Sequence, residues 1–206
     1  MGTDITVLAV DWAHLVRIPP DERLAVLQES AYPDDDGDGD APVPDAGWVW
    51  PAEPEGSWLG RYEFAGTLGS YKPHFRAAEA WEDVRGAADP ALRAALDAFL
   101  SALVWAGPDP GTDAEHVEPG LFPSLAPLWR HGPLVARGPD AVARLGRDWR
   151  EIAVALPSLR EPYARHVAVP GGWIADFDAF TGLLSGWAEV VGEAERRRWG
   201  LVALPL

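Results

Sequence analysis

The 206-residue chain contains no cysteine. That excludes disulfides, thiolate nucleophiles and thiolate metal sites, and it fits a reducing cytoplasm. Lysine is almost as scarce: Lys72 is the only one among 17 basic residues. No suitable glycine run precedes it, so the sequence holds no phosphate-binding loop. Basic charge as a whole is in short supply, with 32 acidic residues and a formal net charge of −15. Such a chain lacks the basic patches that nucleic acids and anionic membrane surfaces require. Apolar runs are short, and none approaches the roughly 20 residues of a membrane-spanning helix. Met1-Gly2-Thr3-Asp4 has no basic region and leads into only a short apolar stretch, unlike a secretory signal. A soluble cytoplasmic protein is the expectation. Catalytic signatures are missing too. The five histidines, His14, His74, His116, His131 and His166, include no HExxH and no pair at metal-ligand spacing. Scattered as they are, they read as surface or core residues rather than bases. Gly56-Ser57-Trp58-Leu59-Gly60 is no nucleophile elbow, because its serine directly follows the glycine.

Tryptophan, by contrast, is abundant: there are 11, in a composition that is 48% apolar and ample for a core. Ile5 to Val10 is a nearly unbroken apolar run, the pattern of a strand buried on both faces. Leu201 to Leu204 is a second such run. Between Asp176 and Arg198, Phe177, Phe180, Leu184, Trp187, Val191 and Ala194 recur at spacings of three and four. They mark one face of a helix, which Leu183 and Val190 widen. Asp176 is placed to cap it, Arg196 to Arg198 suit its C-terminal dipole, and Gly200 is expected to end it in the left-handed conformation. This helix is predicted to cover a sheet containing both terminal strands, with Trp187 buried in the contact. Asp89-Pro90 opens another helix, with Leu92, Leu96, Phe99, Leu100 and Leu103 inside, expected to close at Gly107-Pro108. Pro139 opens a third over Val142, Leu145, Trp149, Ile152 and Leu156, and Ser158 with Glu161 is spaced as a capping box for the next. Strands near the ends and helices between them predict an α+β fold. The reading is one mainly helical domain over 1–206, with a small sheet and an acidic, Pro/Gly/Trp-rich coil inserted at 33–60.

Charge is uneven along the chain. Residues 1–60 hold 13 acidic and 2 basic residues, a net of −11, whereas the remaining 146 carry −4. Asp34, Asp36 and Asp38 with Gly39 fall at positions one, three, five and six of a calcium loop, and Asp45 falls at position twelve. Against a calcium site, Asp45 is shorter than the usual bidentate glutamate, Ala41 replaces a larger apolar residue, and Pro42 and Pro44 forbid a normal exit helix. The plainer reading of this run, Asp35 included, is a solvated acidic loop. Just beyond it, Trp48 and Trp50 alternate, so an extended chain points both rings to one face, and Trp58 follows. Such a platform can anchor a partner, tryptophan being favoured at binding hot spots. Its plainer reading is a set of rings that pins the coil to the core.

From His131 to Leu206 the order of elements resembles the YfbM-like family of uncharacterised bacterial proteins. Gly132-Pro133-Leu134 precedes a helix begun at Gly138-Pro139-Asp140-Ala141-Val142, a short helix follows around Pro162-Tyr163, and the aromatic helix from Asp176 runs into Leu201-Val202-Ala203-Leu204. The resemblance implies a single cytoplasmic α+β domain and no activity. Three functional expectations stand. One is a module that binds a basic protein through Asp34, Asp35, Asp36, Asp38, Trp48, Trp50 and Trp58, with immunity against a basic toxin as one version. Another is an enzyme whose site is assembled from dispersed residues such as Asp11, His14, Arg61, Tyr62 and His74. The third is a calcium module on Asp34, Asp36, Asp38 and Asp45. Calcium aside, no cofactor is expected, and oligomeric state is open.

Overall fold

The apolar runs at the two ends of the chain pair with each other. The computed structural model describes residues 4–32, 46–51, 56–67, 69–105, 117, 120–122, 132–167 and 173–205. In it, β1 (Ile5–Val10) and the last strand, Gly200–Pro205, are antiparallel neighbours, with Val7 opposite Ala203. On the far side of β1 come β3 (Leu59–Glu63) and then β2 (Gly47–Val49) at one edge, while β4 (Val135–Arg137) lies at the other, beside the last strand, β5. All four pairings are antiparallel, giving the order β2-β3-β1-β5-β4.

Side-chain alternation accounts for the unbroken burial of the central strands. Val7 and Ala9 face one core, while Leu8 and Val10 face another. β5 divides in the same way, Leu201 and Ala203 against Val202 and Leu204. A strand that serves two cores has no polar face, which is why both read as continuous apolar runs. The larger core lies under α3 (Lys72–Val84), α4 (Pro90–Ser101), α5 (Pro139–Ala155), α6 (Arg160–His166) and α7 (Phe177–Arg197). The smaller is closed by α1 (Trp12–Arg17), α2 (Arg23–Ala31), Leu121 and Phe122. The fold is α+β. No helix among the described residues is long and apolar enough to cross a membrane.

α7 buries the face expected of it, and Trp187 is 1% exposed. Asp176 caps it by accepting from Ala179 N at 2.8 Å, and Asp89 caps α4 by accepting from Ala91 N at 2.9 Å. Other local expectations are corrected. Arg198, not Gly200, takes the left-handed position after α7, at φ 58° and ψ 38°. Gly200 already belongs to β5, where the Trp12 ring crowds it and an added Cβ would lie 2.7 Å from the Arg137 carbonyl oxygen. α4 stops at Ser101, well before Gly107, because the amides of Leu103, Val104 and Trp105 all turn back to the Leu100 carbonyl. Ser158 forms no capping box. Its hydroxyl donates to the Ala155 carbonyl at 2.7 Å, and a 3-10 turn (Leu156–Leu159) carries α5 directly into α6. Within the expected coil, Gly47–Val49 forms a strand, with Trp48 opposite Tyr62.

Candidate functional site

Alternation along β3 turns Tyr62 toward the larger core, and Phe64 beyond the strand packs there too. A tight turn follows. The Thr67 amide donates to the Phe64 carbonyl at 3.3 Å, and Gly66 supplies a φ of 69° that a side chain would strain. Opposite this turn, α7 presents Ala179, Gly182, Ser185, Gly186 and Glu189. Between them lies a groove of about 500 Å³, bounded also by Pro73, Trp173 and Ile174. Two glycines in the middle of a long helix weaken it, and here they shape the groove. At Gly186 an added Cβ would lie 2.8 Å from a Phe64 ring carbon, so the glycine admits the ring. At Gly182 it would meet nothing within 4 Å among the described residues, so that position opens onto the groove.

Among the described residues, Glu189 is the one charged residue lining this groove. Tyr62 Oη donates to its Oε2 at 2.8 Å. Burial first, and the adjacent Glu189 carboxylate second, push the Tyr62 phenol well above its ordinary pKa, so it stays a donor and fixes one carboxylate oxygen. No arginine or lysine pairs with Glu189 among the described residues. Behind Phe64, Trp187 Nε1 donates to His74 Nδ1 at 3.1 Å in a fully buried contact. Burial lowers the His74 pKa from 6.5 to about 3. The ring is therefore neutral, with its proton on Nε2, which has no partner among the described residues. Phe64, Tyr71 and Trp187 surround it. A ring of so low a pKa does not serve as a general base near neutral pH. The chemistry offered here is that of a binding groove, with aromatic faces, one fixed carboxylate, and the hydroxyls of Thr67 and Ser185.

Trp48 in β2 and Trp50 just past its end do come together on one face, their ring centroids 5.2 Å apart and their planes at 22°. They lie against the larger-core side. Trp48 stands edge-on to Tyr62 at 5.2 Å, and Trp50 covers Gly60. The Arg197 guanidinium sits 4.3 Å from the Trp50 ring centre and 4.8 Å from that of Trp199, held by Glu193 at 2.6 Å. Both rings are half-buried. β2 is an edge strand, paired among the described residues with β3 alone.

Trp58 is elsewhere. It stacks on His14 at 4.4 Å and packs against the smaller core, across the sheet from Trp48. Asp34, Asp35, Asp36, Asp38 and Asp45 lie outside the described residues, so the acidic run and the calcium loop are not placed. Among the described residues no group of three or more His, Asp or Glu side chains is arranged to hold a metal ion. The dispersed enzyme set does not converge. Asp11 caps α1, His14 stacks on Trp58, and Arg61 lies over the Tyr32 ring at 4.2 Å, all on the smaller-core side. Tyr62 and His74 belong to the other face. The groove residues Trp173, Gly182, Gly186 and Glu189 escaped sequence reading. The two glycines four apart on the polar side of a long helix were the available signal. Comparison of the chain with protein-family models, curated proteins and solved structures gave no match.

Proposed function

We propose that the protein is a binding module that engages a basic protein partner through the outer edge of β2 and the acidic run leading into it. The observation that carries this reading is the stacked, half-buried pair formed by Trp48, in an edge strand that begins just after Asp45, and Trp50, just past its end. An edge strand offers unpaired amides and carbonyls to an incoming chain, and tryptophan supplies the apolar anchor. The neighbouring carboxylates would accelerate encounter with positive charge. Trp58, across the sheet, has no part in it. Protection of a cytoplasm against a basic toxin is the version of this role that suits an acidic binder.

The test is capture of partners on the immobilised full chain, followed by binding kinetics with the captured protein. Support would be a basic partner whose association slows as salt rises from about 50 to about 300 mM, as screening requires. Replacing Asp34, Asp35, Asp36 and Asp38 by Asn should slow association, and Trp50→Ala should speed dissociation. A partner bound alike by all variants, or no basic partner at all, rejects the reading.

A further inference from the structure

We propose that the groove between α7 and the 64–67 turn binds a small organic monocation, an ammonium or guanidinium group carried on an aromatic or aliphatic body. This site is separate from the partner surface, since neither Trp48 nor Trp50 lines it. Its volume of about 500 Å³ suits a small molecule. Charge selects the sign of the ligand. The other three carboxylates of α7 are each paired, Asp178 with Arg160, Glu193 with Arg196 and Arg197, and Glu195 with Arg150. Glu189 instead accepts from a neutral phenol and keeps Oε1 unbonded among the described residues. An anion would meet that carboxylate and a net charge of −15. A metal ion would find a single carboxylate and no cluster of ligands among the described residues. An organic cation needs only what is there.

Aromatic surface completes the match. Tyr62 and Phe64 form the floor, perpendicular to each other with ring centres 5.0 Å apart. Trp173 walls one side and is 40% exposed, a large ring left in water beside the opening. Aromatic faces attract cations and also bury an apolar body. The space over Gly182, open among the described residues, gives that body room alongside α7.

The experiment uses the full chain at about 150 mM salt, so that screening suppresses diffuse attraction to the acidic surface. The probes are 2-phenylethylammonium, the neutral 2-phenylethanol and the anionic phenylacetate, followed by calorimetry and by amide and indole NMR shifts. Saturable one-to-one binding of the ammonium is expected, with the alcohol about tenfold weaker and the anion silent, the size of one charge-assisted contact. Shifts should centre on the amides of Gly182 and Gly186 and the Trp173 indole. Glu189→Gln keeps both the side-chain volume and an acceptor for Tyr62, and should weaken the ammonium about tenfold. Gly182→Leu fills the open space and should abolish binding. Equal binding of the three probes overturns the proposal, as does no saturable binding of the ammonium, unchanged affinity in Glu189→Gln, or shifts lying away from the groove. Should Gly182→Leu fail to fold, Glu189→Gln and the three-probe comparison decide the matter alone.

Discussion

His74 is fully buried, and its Nδ1 takes a hydrogen bond from Trp187 in a setting of aromatic rings. Burial depresses its pKa from 6.5 to about 3 in the folded chain. Between those values the unfolded chain binds a proton that the folded chain excludes. The stability associated with the neutral ring is therefore fully present above pH 6.5 and is lost as pH falls toward 3, at about 1.4 kcal/mol per pH unit. His74→Gln retains an acceptor for Trp187 but does not titrate. Urea unfolding between pH 6.5 and 4.5 should show wild type losing stability more steeply than the variant by about that slope. Parallel curves would mean that the ring takes up its proton without unfolding. Arg23 is the converse case, a side chain buried with its charge. It is buried, and its guanidinium donates to the carbonyls of Leu15, Val16, Ile18 and Leu121 rather than to a carboxylate. Sequence alone leaves such a residue on the surface, because the carbonyls that satisfy it are set by how α1, α2 and a distant loop meet.

α7 shows what periodicity can and cannot convey. Its apolar stripe, its Asp176 cap and the burial of Trp187 were legible because a 3.6-residue repeat over 21 residues admits one reading. The terminal strands were legible because burial on both faces leaves them wholly apolar. β2 and β4, at three residues each, are too short to display any period. The groove was illegible for another reason. It is a space, created where Gly182 and Gly186 face a turn more than a hundred residues earlier in the chain. The two glycines should therefore respond in opposite directions. Gly182→Ala adds a methyl group to open space and should stabilise the protein by about 0.5–1 kcal/mol, the usual gain of alanine over glycine in a helix. Gly186→Ala would place Cβ 2.8 Å from the Phe64 ring, so Phe64 must shift and the protein should lose stability despite the better helix former. Urea midpoints of the two variants measure this directly. Stabilisation by both would show that α7 and the 64–67 turn are farther apart than described.

Over the whole molecule, positive charge is mostly engaged and negative charge is in surplus. Arginines 61, 76, 85, 150, 160, 165, 196 and 197 all have carboxylate partners. In residues 1–60 the two basic residues are Arg17 and Arg23, and both donate to backbone carbonyls. No ion pair among the described residues includes an acid from that stretch, although it carries a net charge of −11. Two effects of salt then compete. Screening weakens the ion pairs, but most of these are at least partly exposed and such pairs are worth about 0–1 kcal/mol each. Screening also relieves repulsion among the surplus acids, and this repulsion acts over many groups at once. Raising salt from about 10 to about 150 mM shortens the Debye length from about 30 to about 8 Å, enough to separate neighbouring carboxylates electrostatically. Repulsion should dominate. Thermal midpoint should rise over that range by a few °C, which for a chain of this size corresponds to about 1 kcal/mol. Replacing Asp34, Asp35, Asp36 and Asp38 by Asn should raise the midpoint at low salt and flatten its salt dependence. A midpoint that falls with salt in both proteins would place the electrostatic balance in the ion pairs of residues 61–206 instead, and the acidic run would then carry no strain for a basic partner to relieve.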